Sequence, residues 1–292
     1  MTLPSRIRHD VDAALAAHGA RPVAKVASLS GGCISAAARI EDAAGTPFFL
    51  KWGESDETPD LFVEEARSLR ALERTGAVRV PGVIAESAAF LLLEWLEPGS
   101  ARPDAWARAG RALAHLHRTH TAEFGWEHDN YIGSLPQSNA WQRDWPAFWR
   151  DARILPQLER AYAAGHFAAD ERKRIDGHLD GLPSLLAAGQ TDGPALLHGD
   201  LWSGNVHAMA NGDLALIDPS SSWGHREVDL AMAHLFGGFD PAFFAAYEQA
   251  SPLADGSARR RAAYQVYYLL VHVNLFGSGY CRSVVTAVEK AG

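Results

Sequence analysis

His198-Gly199-Asp200-Leu201-Trp202-Ser203-Gly204-Asn205 is the stretch on which the reading of this chain turns. It follows a short apolar run, Ala195 to Leu197, that reads as a strand, and it has no periodic pattern of its own, so it forms a loop. A carboxylate and a carboxamide five residues apart in such a loop can divide two tasks. Asp200 accepts a substrate proton, or orients the hydroxyl that carries it, while the amide oxygen of Asn205 reaches a metal. Val206 to Ile217 reads as a hairpin ending at a further carboxylate, Asp218, thirteen residues beyond Asn205. The hairpin returns Asp218 to the loop and makes a place for Mg²⁺ between Asn205, Asp218 and a nucleotide's phosphates. The alternative is that Asp200 and Asn205 merely cap turns, as these residue types often do.

A constellation upstream weighs against that alternative. Val23 to Ser30, Cys33 to Glu41 and Pro47 to Trp52 read as strands separated by turn residues, a hairpin meander. Phe49-Leu50-Lys51 ends the last of them with a lone lysine among apolar neighbours. Thr58 can N-cap a helix with Pro59 in its first turn, running to about Thr75 before Gly76. On a helical wheel Phe62, Ala66, Leu69 and Leu72 form the inner face, Glu65 falls near it and Glu64 points almost opposite. A half-buried Glu65 needs a cation, and Lys51, one strand away, is its natural partner for positioning ATP phosphates. Ser30-Gly31-Gly32-Cys33-Ile34-Ser35 resembles a phosphate-covering hairpin, with Gly31 and Gly32 letting backbone N–H groups approach the anion. The same N–H groups would stabilise a thiolate, which makes Cys33 a possible redox-sensitive residue. Neither a Walker loop nor a G-x-G-x-x-G fingerprint occurs.

Two further strands are expected near Val83 to Glu86 and Ala89 to Leu93, after which Glu94-Trp95-Leu96-Glu97-Pro98-Gly99 reads as a linker. The pattern from Pro103 onward is helical, and three helices between Glu227 and Gly277 are expected to close the chain. Trp141, Trp145 and Trp149 recur every four residues, which puts three indoles on one helix face, most simply as core. Gly224 to Met232 opens a helix apolar almost all round, so Asp229 within it must be paired. Backbone N–H groups of the 198–205 loop are its best partners, making Asp229 a structural brace. His198 is expected to order the same loop by hydrogen bonding. His115 and His117 lie about 200° apart on a helix and cannot share one ion. The fold class is therefore α+β, with residues 1–94 as antiparallel sheet with one helix and residues 95–292 mostly helical. Because His198, Asp200 and Asn205 follow the kinase pattern H-x-D-x-x-x-x-N with Asp218 beyond it, a two-lobed, protein-kinase-like arrangement of an N-lobe and a C-lobe is expected.

Composition bounds the rest. The chain has 292 residues, 47% of them hydrophobic, and a net charge of −8 without a long basic block, so it can bury a core and shows no footprint for nucleic acid. Cys33 and Cys281 are its two cysteines, which excludes a disulfide scaffold. No apolar run approaches the roughly 20 residues a membrane helix needs. A cytoplasmic protein with no membrane or nucleic-acid partner is expected.

The residues resemble the fructosamine kinases, also called ketosamine 3-kinases, within the aminoglycoside phosphotransferase-like kinases. The resemblance covers nearly the whole chain: Gly31 to Ile34, Lys51, Phe62 to Leu69, Asn130 to Ser134, Pro136 to Asn139, Trp145 to Leu158, the 198–205 loop, Gly224 to Met232 with Leu235 to Phe239, and His272 to Gly277. The tryptophan within His-Gly-Asp-Leu-Trp and the Gly-His-Arg-Glu run set it apart from antibiotic and choline kinases. It implies ATP- and Mg²⁺-dependent phosphorylation of a sugar hydroxyl, the 3-hydroxyl, on fructosamine, ribulosamine or erythrulosamine, free or on a glycated protein, in deglycation repair. Asp200 would be catalytic and Asn205 and Asp218 would hold the metal. Gly31, Gly32, Lys51 and Glu65 would bind the nucleotide, with the backbone of Glu94, Trp95 and Leu96 at adenine. Trp202, Trp223 and His225 would meet the acceptor. After Asp218-Pro219 the family often places aromatic residues where this chain has Ser220-Ser221-Ser222, which bears on substrate preference. The alternatives are a kinase for another hydroxylated amine, such as an aminoglycoside or amino alcohol, and an inactive nucleotide-binding pseudokinase.

Overall fold

The computed structural model describes residues 2–29, 35–53 and 58–292. The expectations for Gly31, Gly32 and Cys33 lie outside these residues. In chain order the elements are α1 (Ser5–Ala17), β1 (Val23–Ser28), β2 (Ala36–Asp42), β3 (Pro47–Trp52), α2 (Leu61–Thr75), β4 (Val83–Glu86), β5 (Phe90–Glu94), α3 (Ala105–Leu116), β6 (Asn130–Ile132), β7 (Leu135–Gln137), α4 (Trp145–Trp149), α5 (Leu155–Ala163), α6 (Ala169–Leu185), α7 (Ala187–Asp192), β8 (Ala195–Leu196), β9 (Val206–Ala208), β10 (Leu214–Leu216), β11 (Trp223–Gly224), α8 (Glu227–Leu235), α9 (Pro241–Ala250), α10 (Ser257–Phe276) and α11 (Cys281–Ala291). A π-helical turn, Arg150–Ile154, joins α4 to α5.

Strands β1 to β5 form an antiparallel sheet in the order β1-β2-β3-β5-β4. Alternation along β3 sends Phe48, Leu50 and Trp52 to one face and Phe49 and Lys51 to the other. The first face packs, with Ile40 and Leu92, against Ile7, Val11 and Leu15 of α1. Burying each such side chain contributes roughly 1.5–3 kcal/mol. On the other face Phe49, Leu91 and Leu93 join Phe62, Ala66, Leu69 and Leu72 of α2. That second apolar cluster continues into α3, Leu201 of the 198–205 loop, Leu216 and Tyr247, so one core runs beneath both lobes.

The sequence pattern predicts one helix before residue 94, and the structure has two. Helix α1 buries Ile7, Val11 and Leu15, four residues apart, and at 13 residues it is marginal alone, so packing on the sheet sustains it. Helix α2 starts at Leu61 instead of near Thr58, with Asp60 at its N-cap. It ends at Thr75 as expected, where Gly76 takes the left-handed conformation at φ 63° that closes a helix. Glu64 does not face solvent: it is buried and paired with Arg67, because α2 is covered by the sheet on one side and by β6 on the other. Trp141 precedes α4 and is exposed, whereas Trp145 and Trp149 are buried in the C-lobe core with Phe148, Tyr264 and Tyr267. Helix α11 follows α10 and closes the chain, an element the sequence pattern does not predict. Among the described residues no helix is long and apolar enough to cross a membrane.

Candidate active site

Strand β8 delivers His198 into a loop held from below by Asp229, which is fully buried on α8. Its carboxylate accepts hydrogen bonds from the backbone N–H of His198 at 2.8 Å and of Gly199 at 2.9 Å. His117 Nε2 lies 3.1 Å from the same carboxylate, and Tyr247 Oη lies 2.8 Å from His117 Nδ1. Burial works against ionising Asp229, but His117 and these N–H donors hold its carboxyl below the usual range. Burial also lowers the pKa of His198. A neutral His198 ring with its proton on Nε2 satisfies both of its contacts, donating to Ile217 O at 3.0 Å and accepting from Asp200 N–H at 3.3 Å.

Gly199 brings this loop against the one after β10. Its φ of 86° is left-handed, and a Cβ there would fall 1.8 Å from the carbonyl oxygen of Ser220, so no side chain fits. Ser220 N–H donates to His198 O across the same contact at 2.9 Å. Asp218, two residues earlier, is also left-handed at φ 54°, a conformation that costs a non-glycine residue on the order of 1–3 kcal/mol. Asn205 closes the gap: its Nδ2 donates to the Asp200 carbonyl at 2.8 Å, to Asp200 Oδ2 at 3.2 Å and to the Asp218 carbonyl at 3.4 Å. These bonds all use the amide nitrogen. Burial, then the neighbouring charge of Asp218, pushes the Asp200 carboxyl up to about 7 against the pull of Asn205.

Lys51 reaches this cluster from β3. Its Nζ lies 2.8 Å from Glu65 Oε1 and 2.7 Å from Asp218 Oδ1. Burial disfavours the ammonium, yet the two carboxylates outweigh it and hold Lys51 well above the ordinary lysine value. Glu65 is raised by burial, partly offset by Lys51. Asp200, Asn205, Asp218, Lys51 and Glu65 are thus linked by direct contacts into one polar cluster. Among the described residues no group of three or more His, Cys, Asp or Glu is placed to hold a metal. Asn205 and Asp218 offer instead the hard oxygen donors that Mg²⁺ takes while keeping positions for phosphates and water. With the Asn205 amide nitrogen engaged within the protein, its oxygen is left for such an ion, so the donor set fits.

Trp202 is 40% exposed. Its indole lies over Gly204, where a Cβ would come within 2.3 Å of the ring. Packing into the core is thereby excluded. Trp223 turns toward Trp126, at 6.3 Å between ring centroids, and the cluster under the lobes. His225 must be corrected: it is fully buried, with Nδ1 2.7 Å from Tyr264 Oη and Nε2 3.1 Å from Asp192, so it is a core residue and cannot touch an acceptor.

Glu94, at the end of β5, pairs with Arg79 and accepts from Gly82 N–H at 3.0 Å. His207 Nε2 donates to Leu96 O at 3.0 Å, while Leu96 N–H has no hydrogen-bond partner among the described residues. A cavity of about 540 Å³ flanks the linker, lined by Arg79, Glu94 to Glu97, α3 and the β9–β10 turn. Lys51, Asp200, Asn205 and Asp218 are not among its lining residues, so it lies apart from the polar cluster. Sequence reasoning missed His117 as the partner of Asp229, although its place on the buried side of α3 was a signal. It also missed Tyr268, whose hydroxyl donates to Gly199 O at 2.7 Å, for which no local signal exists.

A family model described as fructosamine kinase matches residues 9–291. A probable ketoamine kinase of Synechocystis is 39% identical over 264 residues, spanning 87% of this chain and 85% of that protein. The chloroplastic protein-ribulosamine 3-kinase of Arabidopsis thaliana is 35% identical over 279 residues, 92% and 83% of the two chains. The crystal structure of a candidate fructosamine-3-kinase from Thermobifida fusca superposes with a TM-score of 0.85 at 37% identity, covering 93% of this chain and 94% of that one. An aminoglycoside phosphotransferase matches in fold alone, at 17% identity and a TM-score of 0.61 over 95% and 97%. The architecture is thus that of the protein-kinase-like phosphotransferases.

Proposed function

The chain belongs to the fructosamine kinase family, and from that premise we propose that it transfers the γ-phosphoryl group of ATP to the 3-hydroxyl of a ketosamine, free or carried on a glycated protein. The observation that carries the reading is the convergence of Lys51, Glu65 and Asp218 with Asp200 and Asn205 in one polar cluster. Asp200 is the group for the hydroxyl proton: its carboxyl, raised to about 7, matches a base that works near neutral pH. As the proton moves to Asp200, the hydroxyl oxygen bonds to the γ-phosphorus and the bond to the leaving ADP oxygen breaks. Lys51, oriented by Glu65, meets the nucleotide phosphates. Asn205 and Asp218 would hold Mg²⁺, which when bound neutralises charge on the phosphates. The N–H of Leu96, unpaired among the described residues, suits an adenine edge, and the Trp202 indole suits the C–H face of a sugar.

This reading divides the chain at 94/95, with residues 1–94 covering the nucleotide and 95–292 carrying the catalytic loop and the acceptor site. It retains a cytoplasmic location, in keeping with two cysteines in 292 residues. ADP release measured side by side with fructosamine, ribulosamine, erythrulosamine and an aminoglycoside tests the proposal. Turnover of at least one ketosamine well above the aminoglycoside is expected. Aminoglycoside turnover that equals or exceeds it contradicts the assignment.

A further inference from the structure

Behind the loop that carries Asp218 lies a buried polar network belonging to none of the groups assigned above. Gln137, at the end of β7, is its hub. Its Oε1 accepts from the Tyr267 hydroxyl of α10 at 2.5 Å, and its Nε2 donates to Asn130 Oδ1 at 2.8 Å and to Ser220 Oγ at 3.2 Å. Ser220 Oγ in turn donates to Tyr131 O at 2.6 Å, and Asn130 Nδ2 donates to Ser221 O at 2.9 Å. Asn139 Nδ2 also donates to Asn130 Oδ1, and Arg153 Nη2 donates to Asn139 Oδ1 at 2.6 Å. Gln137, Asn130, Asn139, Arg153, Tyr267 and Ser220 are all buried. Both capacities of the Gln137 amide, acceptor and donor, are therefore spent inside the protein.

The network has a mechanical consequence. Asp218 sits in a left-handed conformation that must be held by its surroundings. Upstream it is held by Lys51. Downstream, Ser220 and Ser221 are fixed by directional hydrogen bonds: Ser220 Oγ and Ser221 O bond the β6–β7 hairpin, Ser220 N–H donates to His198 O and Ser221 N–H donates to Ser68 Oγ. Such directional bonds specify one backbone path, whereas an apolar contact tolerates sliding. We infer that Gln137 is a positioning residue that, with Tyr267, fixes Ser220 and so holds Asp218 where its carboxylate meets the nucleotide-bound metal. This rests on the metal-holding reading of Asp218 given above. Gln137 lies behind the loop, and its effect is transmitted through Ser220.

The test uses ADP and Mg²⁺ on the full chain, without any acceptor. Calorimetry gives the ADP Kd with and without Mg²⁺, and their ratio is the readout. Partners that orient a metal ligand typically change metal affinity by about 10–100-fold, so Gln137→Leu should cut the Mg²⁺-dependent gain in ADP affinity by about tenfold and shift the metal-free Kd less than about twofold. Tyr267→Phe removes a single oxygen, keeps the ring in the core and should move the ratio in the same direction, which preserves the test if Gln137→Leu does not fold. If both act through one chain of bonds, the double variant is no worse than Gln137→Leu alone. Variants that lose thermal stability but keep the parent ratio overturn the inference and make the network packing alone. A parent that binds no ADP overturns the kinase reading, and this inference with it.

Discussion

Lys51 Nζ and Asp218 Oδ1 lie 2.7 Å apart, joining a lysine of the N-terminal sheet to a carboxylate 167 residues further along, beyond the 198–205 loop. Lys51 shares this contact with Glu65, whose Oε1 lies 2.8 Å from the same Nζ. Because Glu65 is largely buried and Asp218 is more open, removing the lysine strands mainly Glu65.

Lys51→Met should therefore abolish most activity and also lower stability. Removing one partner of a buried pair typically costs about 3–5 kcal/mol, an upper bound here because Asp218 can turn to water. Adding Glu65→Gln should recover part of the lost Tm without recovering activity. A double variant less stable than Lys51→Met alone would show that Glu65 is not the stranded group.

Asp200→Asn should lose ~10²–10⁴-fold in phosphoryl transfer at saturating ATP, the range of a lost general base. It should also be more stable than the parent in alkali. An acid whose folded pKa is raised, here from 3.8 to about 7, destabilises the fold when ionised. That cost appears as pH rises above the unfolded value and is complete above the folded one. Melting curves at pH 5 and pH 8.5 should show the advantage of Asp200→Asn growing with pH. An advantage independent of pH would refute the buried-carboxylate account.

Trp202→Ala should raise the KM for the acceptor while leaving the KM for ATP nearly unchanged. With the indole 40% exposed, the substitution should not reduce soluble protein. Equal increases in both constants would remove Trp202 from the acceptor wall.

His117 brings an acid dependence. Burial lowers its pKa more than Asp229 raises it, so the folded ring stays neutral where the unfolded one takes up a proton. Its contribution to stability is present above the unfolded value near 6.5 and is lost as pH falls below it, by up to ~1.4 kcal/mol per pH unit. His117→Gln should be less stable than the parent at pH 8 but should lose less on going from pH 7 to pH 5. Parallel stability curves for the two proteins would contradict a neutral buried His117.

How far the sequence discloses this site depends on the range of each contact. The gathering of Asp200, Asn205 and Asp218 is readable because a loop and one hairpin make it, and the approach of Lys51 to Glu65 because strand parity and a helical wheel suffice. Contacts closed by the tertiary fold are not readable. Tyr267 and Gln137 are 130 residues apart, with nothing local in either segment to announce the other. His225 sits in a Gly-His-Arg-Glu run that invites a functional reading, yet Tyr264 and Asp192 enclose it from other helices. Glu64 is similar: a helical wheel sees one covered face of α2, and the β6–β7 hairpin covers a second.

The central claim is tested most directly by identifying the product. The protein, ATP and Mg²⁺ incubated with a ribulosamine or fructosamine can be followed by ³¹P NMR coupled to the sugar protons. A phosphate ester coupled to the proton on C3, absent with Asp200→Asn, is the predicted result. ATP consumed without a sugar phosphate, or an ester at another hydroxyl, would contradict it.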